Sequence, residues 1–254
     1  MADSLAAPLA GIALAAGAGS RLRPLTLLRP KPLCPVGDRP LLDWALGALE
    51  PVGVALAVNV HAHAPRMFEH LGATWPGVHT SHEQDEALGT AGAVGALRPW
   101  LEGRGALVVN ADTWHRADLA RFAAGWDGER VRLLTSTPPP FGPRSGVVAS
   151  ILPWPLAARL PAAPAGLWEL VWRPELEAGR VDVVHEPSPV VDCATVADYL
   201  RANLTWSGGS SVIGDGAVVE GTVVRSVVWP GSVVGPHEVL VDAVRAERRT
   251  VLVR

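Results

Sequence analysis

The chain has few cysteines, few tyrosine or phenylalanine rings, little net charge and no long apolar run. Its two cysteines, Cys34 and Cys193, lie far apart and in no metal-ligand spacing. That excludes a disulfide framework and a thiolate metal centre, and it suits a reducing, cytoplasmic compartment. No apolar stretch approaches the ~20 residues that span a bilayer, so no membrane partner is expected. Leu5 to Ala18 has the apolar character of a signal-peptide core. However, Asp3 stands where such signals carry basic residues, and the segment runs straight into a glycine turn. A formal net charge of −3 supplies no basic field for nucleic acid, so any anion site must be local. One tyrosine and three phenylalanines leave ten tryptophans as the main aromatic stock, and packing in the core or an interface is their expected use.

Hydrophobic residues make up 48% of the 254 residues, enough for one large α/β domain or a domain with a small appendage. The richest stretch runs from Leu14 to Val36. Ile12-Ala13-Leu14 reads as a buried strand, and Leu14-Ala15-Ala16-Gly17-Ala18-Gly19 follows from it. Gly17 and Gly19 permit a sharp turn and a close backbone approach. Read alone they make only a tight turn, or else an anion-binding concavity of successive N–H groups. Arg21 adds a permanent fork-shaped cation, and Lys31 a second charge between Pro30 and Pro32. Those prolines predict a stiff extended segment there.

Downstream, strands and helices alternate. Helical spacing marks Pro40 to Glu50 and Ala64 to Leu71; β-rich runs mark Val52 to Val60, His79 to Glu83, Ala106 to Asn110 and Val131 to Thr135. The alternation predicts a mostly parallel sheet with helices on both faces. His61 and His63 have metal-ligand spacing but no accompanying acid or thiol, and a metal site needs three or four donors. Gly89 and Thr90 open an alanine-rich helix, either as a well-packed start or as an N-terminus that presents N–H groups to an anion. Asp112 follows a buried strand, where it caps the next turn or faces a ligand at the sheet's C-terminal edge. Asp192 precedes a second helix, with Asp198 early in that helix, where its charge suits the dipole.

Leu14 to Val36 resembles the signature of the sugar-phosphate nucleotidyltransferases (NDP-sugar pyrophosphorylases), L-A-A-G-x-G-x-R-L-x-P-L-T and then P-K-P-L-x-P-V. Leu88-Gly89-Thr90-Ala91-Gly92 resembles the family's loop around the nucleobase and ribose. Ser145-Gly146-Val147 and Ala165-Gly166-Leu167-Trp168 resemble two strands that line its sugar pocket. Asp192 to Asn203 resembles its closing motif, with Cys193 and Ala194 departing from the usual residues and Ala111 replacing a glycine before Asp112. The resemblance implies a Rossmann-like catalytic domain over 1–206. It also implies attack by a sugar 1-phosphate on the α-phosphorus of a nucleoside triphosphate, giving an NDP-sugar and pyrophosphate. In that reading Asp112 and Asp192 hold Mg2+, Arg21 stabilises the transition state and Lys31 orients phosphates. Leu14 to Gly19 with Gly89 and Thr90 would bind the nucleotide, and Gly146 and Gly166 the sugar. Glu83, Gln84 and Glu86 all remain as base readers. The family's Glu-Lys-Pro trio has no equivalent here. The general pattern is closest to mannose-1-phosphate guanylyltransferase-like proteins and leans to GTP; the compact middle resembles N-acetylmuramate-1-phosphate uridylyltransferase-like proteins.

From residue 207 the texture changes. Val212, Val218 and Val224, then Val228, Val234 and Leu240, recur every six residues among glycines. The period predicts hexapeptide coils, and it resembles the short left-handed β-helix attached to many nucleotidyltransferases. One or two coils fit, and their apolar edge would pack on the main domain or on a second subunit. Two other readings compete with the enzyme: a non-catalytic nucleotide-sugar-binding regulatory subunit, and an assembly protein that acts through the tail. The retention of Arg21, Lys31, Asp112 and Asp192 favours the enzyme.

Overall fold

The computed structural model describes residues 7–253; the charge reading at Asp3 and the start of the Leu5–Ala18 segment lie outside the described residues. β1 (Leu9–Leu14) leads into single 3-10 turns at Ser20–Leu22, Leu25–Leu27 and Lys31–Leu33, a small hairpin of β2 (Pro35–Val36) and β3 (Arg39–Pro40), and α1 (Leu41–Leu49). There follow β4 (Ala55–Val60), α2 (Ala64–Thr74), β5 (His79–His82), α3 (Gly89–Ala96), α4 (Arg98–Leu101), β6 (Gly105–Asn110) and β7 (Thr113–His115). Next come α5 (Leu119–Ala123), β8 (Val131–Thr135), β9 (Val147–Leu152), α6 (Trp154–Ala157), a π-helical turn Trp168–Trp172, α7 (Arg173–Glu177), β10 (Val181–His185), β11 (Val190–Asp192) and α8 (Val196–Trp206). The tail holds β12 (Val212–Ile213), β13 (Val218–Val219), β14 (Thr222–Val224), β15 (Val227–Val228), β16 (Val233–Val234), β17 (Val239–Val241), β18 (Ala243–Ala246) and β19 (Arg249–Leu252). No helix among the described residues is long and apolar enough to cross a membrane.

The chain divides into two compact units. The first takes the chain up to Gly17, Ala45–Ala111 and His115–Val190; the second takes Ala18–Trp44, Asp112–Trp114 and the chain from Val191 onward.

In the first unit a seven-stranded sheet has the order β10-β8-β9-β6-β1-β4-β5. All neighbours are parallel except β9, which is antiparallel to β6 and β8. Leu14 registers with Asn59 of β4 and Asn110 of β6, so three strands end level at the edge where such sheets place ligands. Side chains alternate across the sheet. Ala10, Ile12, Ala106, Val108, Val131 and Leu133 pack on one face with Val94 and Leu97 of the α3–α4 segment and with Leu160 and Val171. On the other face Gly11 leaves room for Leu49 of α1.

Helix α3 is built from small residues because backbone lies against it. A Cβ on Gly92 would stand 2.2 Å from the Ala163 carbonyl oxygen, and one on Gly95 2.2 Å from that of Pro161. The same packing corrects the strand expected at Ala165–Trp168. Ala165 accepts from Ala91 N–H and donates its own to the Leu88 carbonyl. Its hydrogen bonds therefore go to the Gly89 loop rather than to the sheet, and the chain then enters the π-helical turn.

The second unit has its own core, in which Leu22, Leu25, Cys34, Val36, Trp114, Cys193, Tyr199, Val212 and Trp229 are buried together. Its tail strands pair in parallel as β12-β15-β18, β13-β16 and β14-β17, the arrangement of a two-coil parallel β-helix. β19 turns back antiparallel on β18. Inside it lie Val228, Val234 and Leu240, as the spacing predicts, but in the first coil Ala217 and Val223 face inward while Val218 and Val224 are exposed. A step of five residues rather than six after Val212 moves the register by one. Three tryptophans, Trp114, Trp126 and Trp229, are fully buried, which accords with the packing role expected of this residue.

Two glycines in helices separate packing from propensity. Gly47 in α1 would give a Cβ nothing within 4 Å to meet, so Gly47→Ala should stabilise the chain by ~0.5–1 kcal/mol through helix propensity alone. Gly95→Ala drives the Cβ into backbone and should cost about 1–3 kcal/mol. Urea midpoints of the two variants should move in opposite directions; equal shifts would show that α3 is not held against the 160–165 segment.

Candidate active site

The second unit contains Ala18, Gly19, Arg21, Lys31, Asp112 and Asp192 of the site residues expected from the sequence. Lys31 is the only lysine among 22 basic side chains. Its ammonium lies 2.7 Å from Asp112 Oδ2 and 3.6 Å from Asp192 Oδ1; Lys31 is 6% exposed, the two carboxylates 40% and 59%. Local structure explains each position. Pro30 is extended, but Lys31–Leu33 forms a 3-10 turn closed by Cys34 N–H on the Lys31 carbonyl. The extended segment expected from the prolines is absent, because a proline in the first turn of a helix sacrifices no hydrogen bond. Gly19 adopts φ +62°, and a Cβ there would stand 2.8 Å from Lys31 Cβ and 2.9 Å from Thr26 Cγ2. The glycine is thus required for the loop to lie on the lysine. Arg21 is exposed on the preceding turn.

Asp112 sits between β6 and β7, and β7 pairs with β11, which ends in Asp192. Cys193 N–H donates to the Asp112 carbonyl at 3.0 Å. This ribbon, not the main sheet, holds the two acids side by side. Asp112 Oδ2 faces the lysine, and its Oδ1 accepts from the Thr113 hydroxyl at 3.4 Å. Asp198 is indeed in the first turn of α8, in a reciprocal capping box with Thr195. Cys34 and Cys193 are free and buried. Burial pushes the Cys34 thiol up to about 12 and raises that of Cys193 as well, so both are inert core residues.

In the first unit, hydrogen bonds fasten two of the predicted nucleotide loops. Leu14 accepts from Ala111 N–H, and Ala15 N–H donates to Asn59 Oδ1 at 2.8 Å. Asn59 Nδ2 donates to Glu83 Oε1 at 2.7 Å, and Leu88 N–H to Glu83 Oε2 at 2.8 Å. Glu83, a candidate base reader, is buried and committed to these partners; Gln84 and Glu86 are exposed. Thr90 Oγ1 accepts from Leu167 N–H at 2.9 Å, which ties the Gly89 loop to the segment containing Gly166. A Cβ on Gly89, at φ +69°, would meet the Ala165 carbonyl oxygen at 2.7 Å. Gly17 has no neighbour within 4 Å of such a Cβ, so nothing in the protein requires its small size. Gly146, at the start of β9, accommodates Ser136 Oγ, and Gly166 the Glu169 carboxylate. His61 Nδ1 lies 2.7 Å from the Glu83 carbonyl, and no group of three or more His, Cys, Asp or Glu that could hold a metal occurs among the described residues.

The sequence leaves Glu83 among three alternatives, and Asn59 is not among the residues it marks. The signal was there: Asn59 is the one polar residue in the β4 run Ala-Leu-Ala-Val-Asn-Val, and a buried polar group needs partners.

Burial raises the Asp192 carboxyl above its ordinary 3.8; repulsion from Asp112 adds to this, and Lys31 and Arg21 oppose it. With the folded pKa above the unfolded one, ionising Asp192 costs the folded state. That cost is absent below pH 3.8 and grows as pH rises through the raised value. Asp192→Asn should therefore gain stability relative to the wild type between about pH 3.5 and pH 7, measured by urea denaturation at both. A variant that instead loses ground as pH rises would make the carboxylate a net stabiliser through Lys31.

Comparison with known proteins follows the same lines. Residues 10–136, half of the chain, match the Nucleotidyl transferase family. Over 104 residues the chain is 40% identical to the N-acetylmuramate alpha-1-phosphate uridylyltransferase of Neisseria meningitidis, covering 39% of this chain and 45% of that protein. Over 114 residues it is 31% identical to the mannose-1-phosphate guanylyltransferase of Mycobacterium tuberculosis, covering 44% and 32%. The chain thus spans less than half the length of either relative. The crystal structure of HddC from Yersinia pseudotuberculosis complexed with GMP-PN superposes with a TM-score of 0.61 at 20% identity, over 78% of this chain and 99% of that one, a likeness of fold. A match over half its length places this chain in the nucleotidyl transferase family.

Proposed function

We propose that the chain joins a sugar 1-phosphate to a nucleoside triphosphate, releasing pyrophosphate and an NDP-sugar. The observation that carries this is a buried lysine between two partly exposed carboxylates, in one unit with Gly19 and Arg21. Both substrates are anionic, so the first task is to offset repulsion. Lys31 and Arg21 supply fixed positive charge for the phosphates and for the leaving pyrophosphate. No base or covalent nucleophile is needed, because the attacking phosphate monoester is already ionised; catalysis is positioning and electrostatics.

Asp112 and Asp192 suit Mg2+ by their chemistry. That ion is held by one or two carboxylates and completed by substrate phosphates and water, and here two partly exposed carboxylates converge on one ammonium. When bound, the ion would neutralise charge developing on the α-phosphate. In this reading Gly17, whose small size no protein contact requires, leaves its backbone open to the nucleotide. Gly89 and Thr90 belong to the nucleoside part, and Gly146 and Gly166 to the sugar.

The nucleobase lean is to GTP, and the name of the 40%-identical relative sets UTP beside it. With Glu83 committed elsewhere, Gln84 and Glu86 are the side chains left to read the base. A thermal-shift panel of the four ribonucleoside triphosphates and dTTP with Mg2+ tests the proposal. A ligand at a hundred times its Kd should stabilise by about 2.7 kcal/mol. Asp112→Asn should keep the fold and lower pyrophosphate release at least 100-fold, and a chelator should abolish it. No shift with any triphosphate, or full turnover in Asp112→Asn, would sink this assignment.

A further inference from the structure

We propose that Asn59 and Glu83 form a one-way hydrogen-bond relay that positions the two nucleotide loops of the first unit. This rests on the nucleotidyltransferase reading above. The relay runs Ala15 N–H to Asn59 Oδ1, Asn59 Nδ2 to Glu83 Oε1, and Leu88 N–H to Glu83 Oε2, each at 2.7–2.8 Å. Both side chains are buried. Its two ends are backbone amides: Ala15 opens the turn after β1, and Leu88 immediately precedes Gly89 and Thr90.

The polarity is set from both ends. A backbone N–H can only donate, so the Asn59 amide must present its oxygen to Ala15 and its NH2 to Glu83. Leu88 N–H likewise demands an acceptor, so both Glu83 oxygens must accept. A carboxylate is the side chain that accepts at two oxygens, and an amide in the same place cannot. If Glu83→Gln turns its NH2 to Leu88, two donors meet there. If it turns its NH2 to Asn59, the Asn59 amide must flip, and its own NH2 then meets Ala15 N–H. One loop amide is left unsatisfied in either case, and a buried donor without a partner displaces the segment that carries it. Reversing the polarity repairs the relay. In the double variant Asn59→Asp/Glu83→Gln, residue 59 accepts from both Ala15 N–H and the new Gln amide, while the Gln oxygen accepts from Leu88. The relay residues touch neither triphosphate nor sugar in this assignment and act only through Ala15 and Leu88.

The test uses the full chain at a temperature where every variant is folded. Triphosphate affinity, with the nucleotide that shifts the wild type most, is measured by calorimetry, and amide exchange is followed at Ala15 and Leu88. Glu83→Gln, and Asn59→Asp, which sets two carboxylates against each other, should each weaken binding at least tenfold, and Glu83→Gln should lose protection at one of the two amides. The double variant should return to within about threefold of wild-type affinity, tenfold being ~1.4 kcal/mol, and should regain protection at both. A merely structural role predicts that the two single defects add in the double variant. Wild-type affinity in Glu83→Gln, or an additive double variant, would overturn the relay while leaving the nucleotidyltransferase reading intact. A wild type that binds no triphosphate would overturn that reading and with it the role of the relay, whatever the exchange data show.

Discussion

Two carboxylates held side by side repel each other, and the second unit answers that repulsion with a single ammonium. Lys31 reaches Asp112 at 2.7 Å and Asp192 at 3.6 Å from a nearly inaccessible position. Lysine suits the place because its charge is compact and its three donors rotate freely, whereas a guanidinium is a flat fork made for one carboxylate at a time. Every other basic residue of the chain is arginine. The offset is incomplete, since Asp192 is still pushed up by burial and by Asp112. The two acids therefore keep a preference for further positive charge, which is what the Mg2+ proposed above would satisfy.

The first unit meets a different constraint, that of holding backbone in shape rather than offsetting charge. Glycine turns offer N–H groups but have no side chains to hold their own shape. Here the shape comes from outside the turns. Asn59 and Glu83 take one amide from each loop, and the Ala165–Leu167 segment clamps the second loop through Ala91, Leu88 and Thr90. Gly89 is glycine because Ala165 lies against it, and α3 is poor in bulk because Pro161 and Ala163 do. The glycines of α3 and of the loop before it are thus the cost of close backbone packing, whereas a Cβ on Gly17, like one on Gly47, would meet nothing.

The sheet, its mostly parallel order, the strand before Asp112 and the helix opened by Gly89 were legible because period and motif are local. What was not legible depends on partners distant in sequence. The Lys31 turn reads as extended from its prolines, and becomes a 3-10 turn because its carbonyl bonds Cys34. Ala165 to Trp168 has strand-like residues but spends its amides on a loop. Asp192 reads only as the residue before a helix, and the β7–β11 pairing shows that it ends a strand in the ribbon beside Asp112. In the tail the period of six was visible, but the five-residue step that turns Ala217 and Val223 inward was not. The pairing of Asn59 with Glu83 was not legible for a further reason: each is an ordinary polar residue until the other is placed 2.7 Å away.

The same dependence links Lys31 to the end of the chain. The segment that carries it is anchored on both sides by α8 and the tail, within one unit. Tyr199 donates its hydroxyl proton to the Pro35 carbonyl and accepts from Trp229 Nε1 at 2.9 Å. The Arg29 guanidinium lies 5.0 Å over the Trp229 ring. Beyond Pro35, Gly37 at φ +65° donates to Asn203 Oδ1 at 3.0 Å and lies so close to the Trp206 ring that no Cβ fits. The lysine is therefore flanked by contacts before and after it in sequence, all made to residues more than 160 positions later. Trp229 itself is buried among Val212, Val227 and Val244 of the β-helix. The coils thus bury the tryptophan and tyrosine on which the Lys31 segment rests, and a lysine held this way keeps its ammonium between two carboxylates without a long regular element of its own.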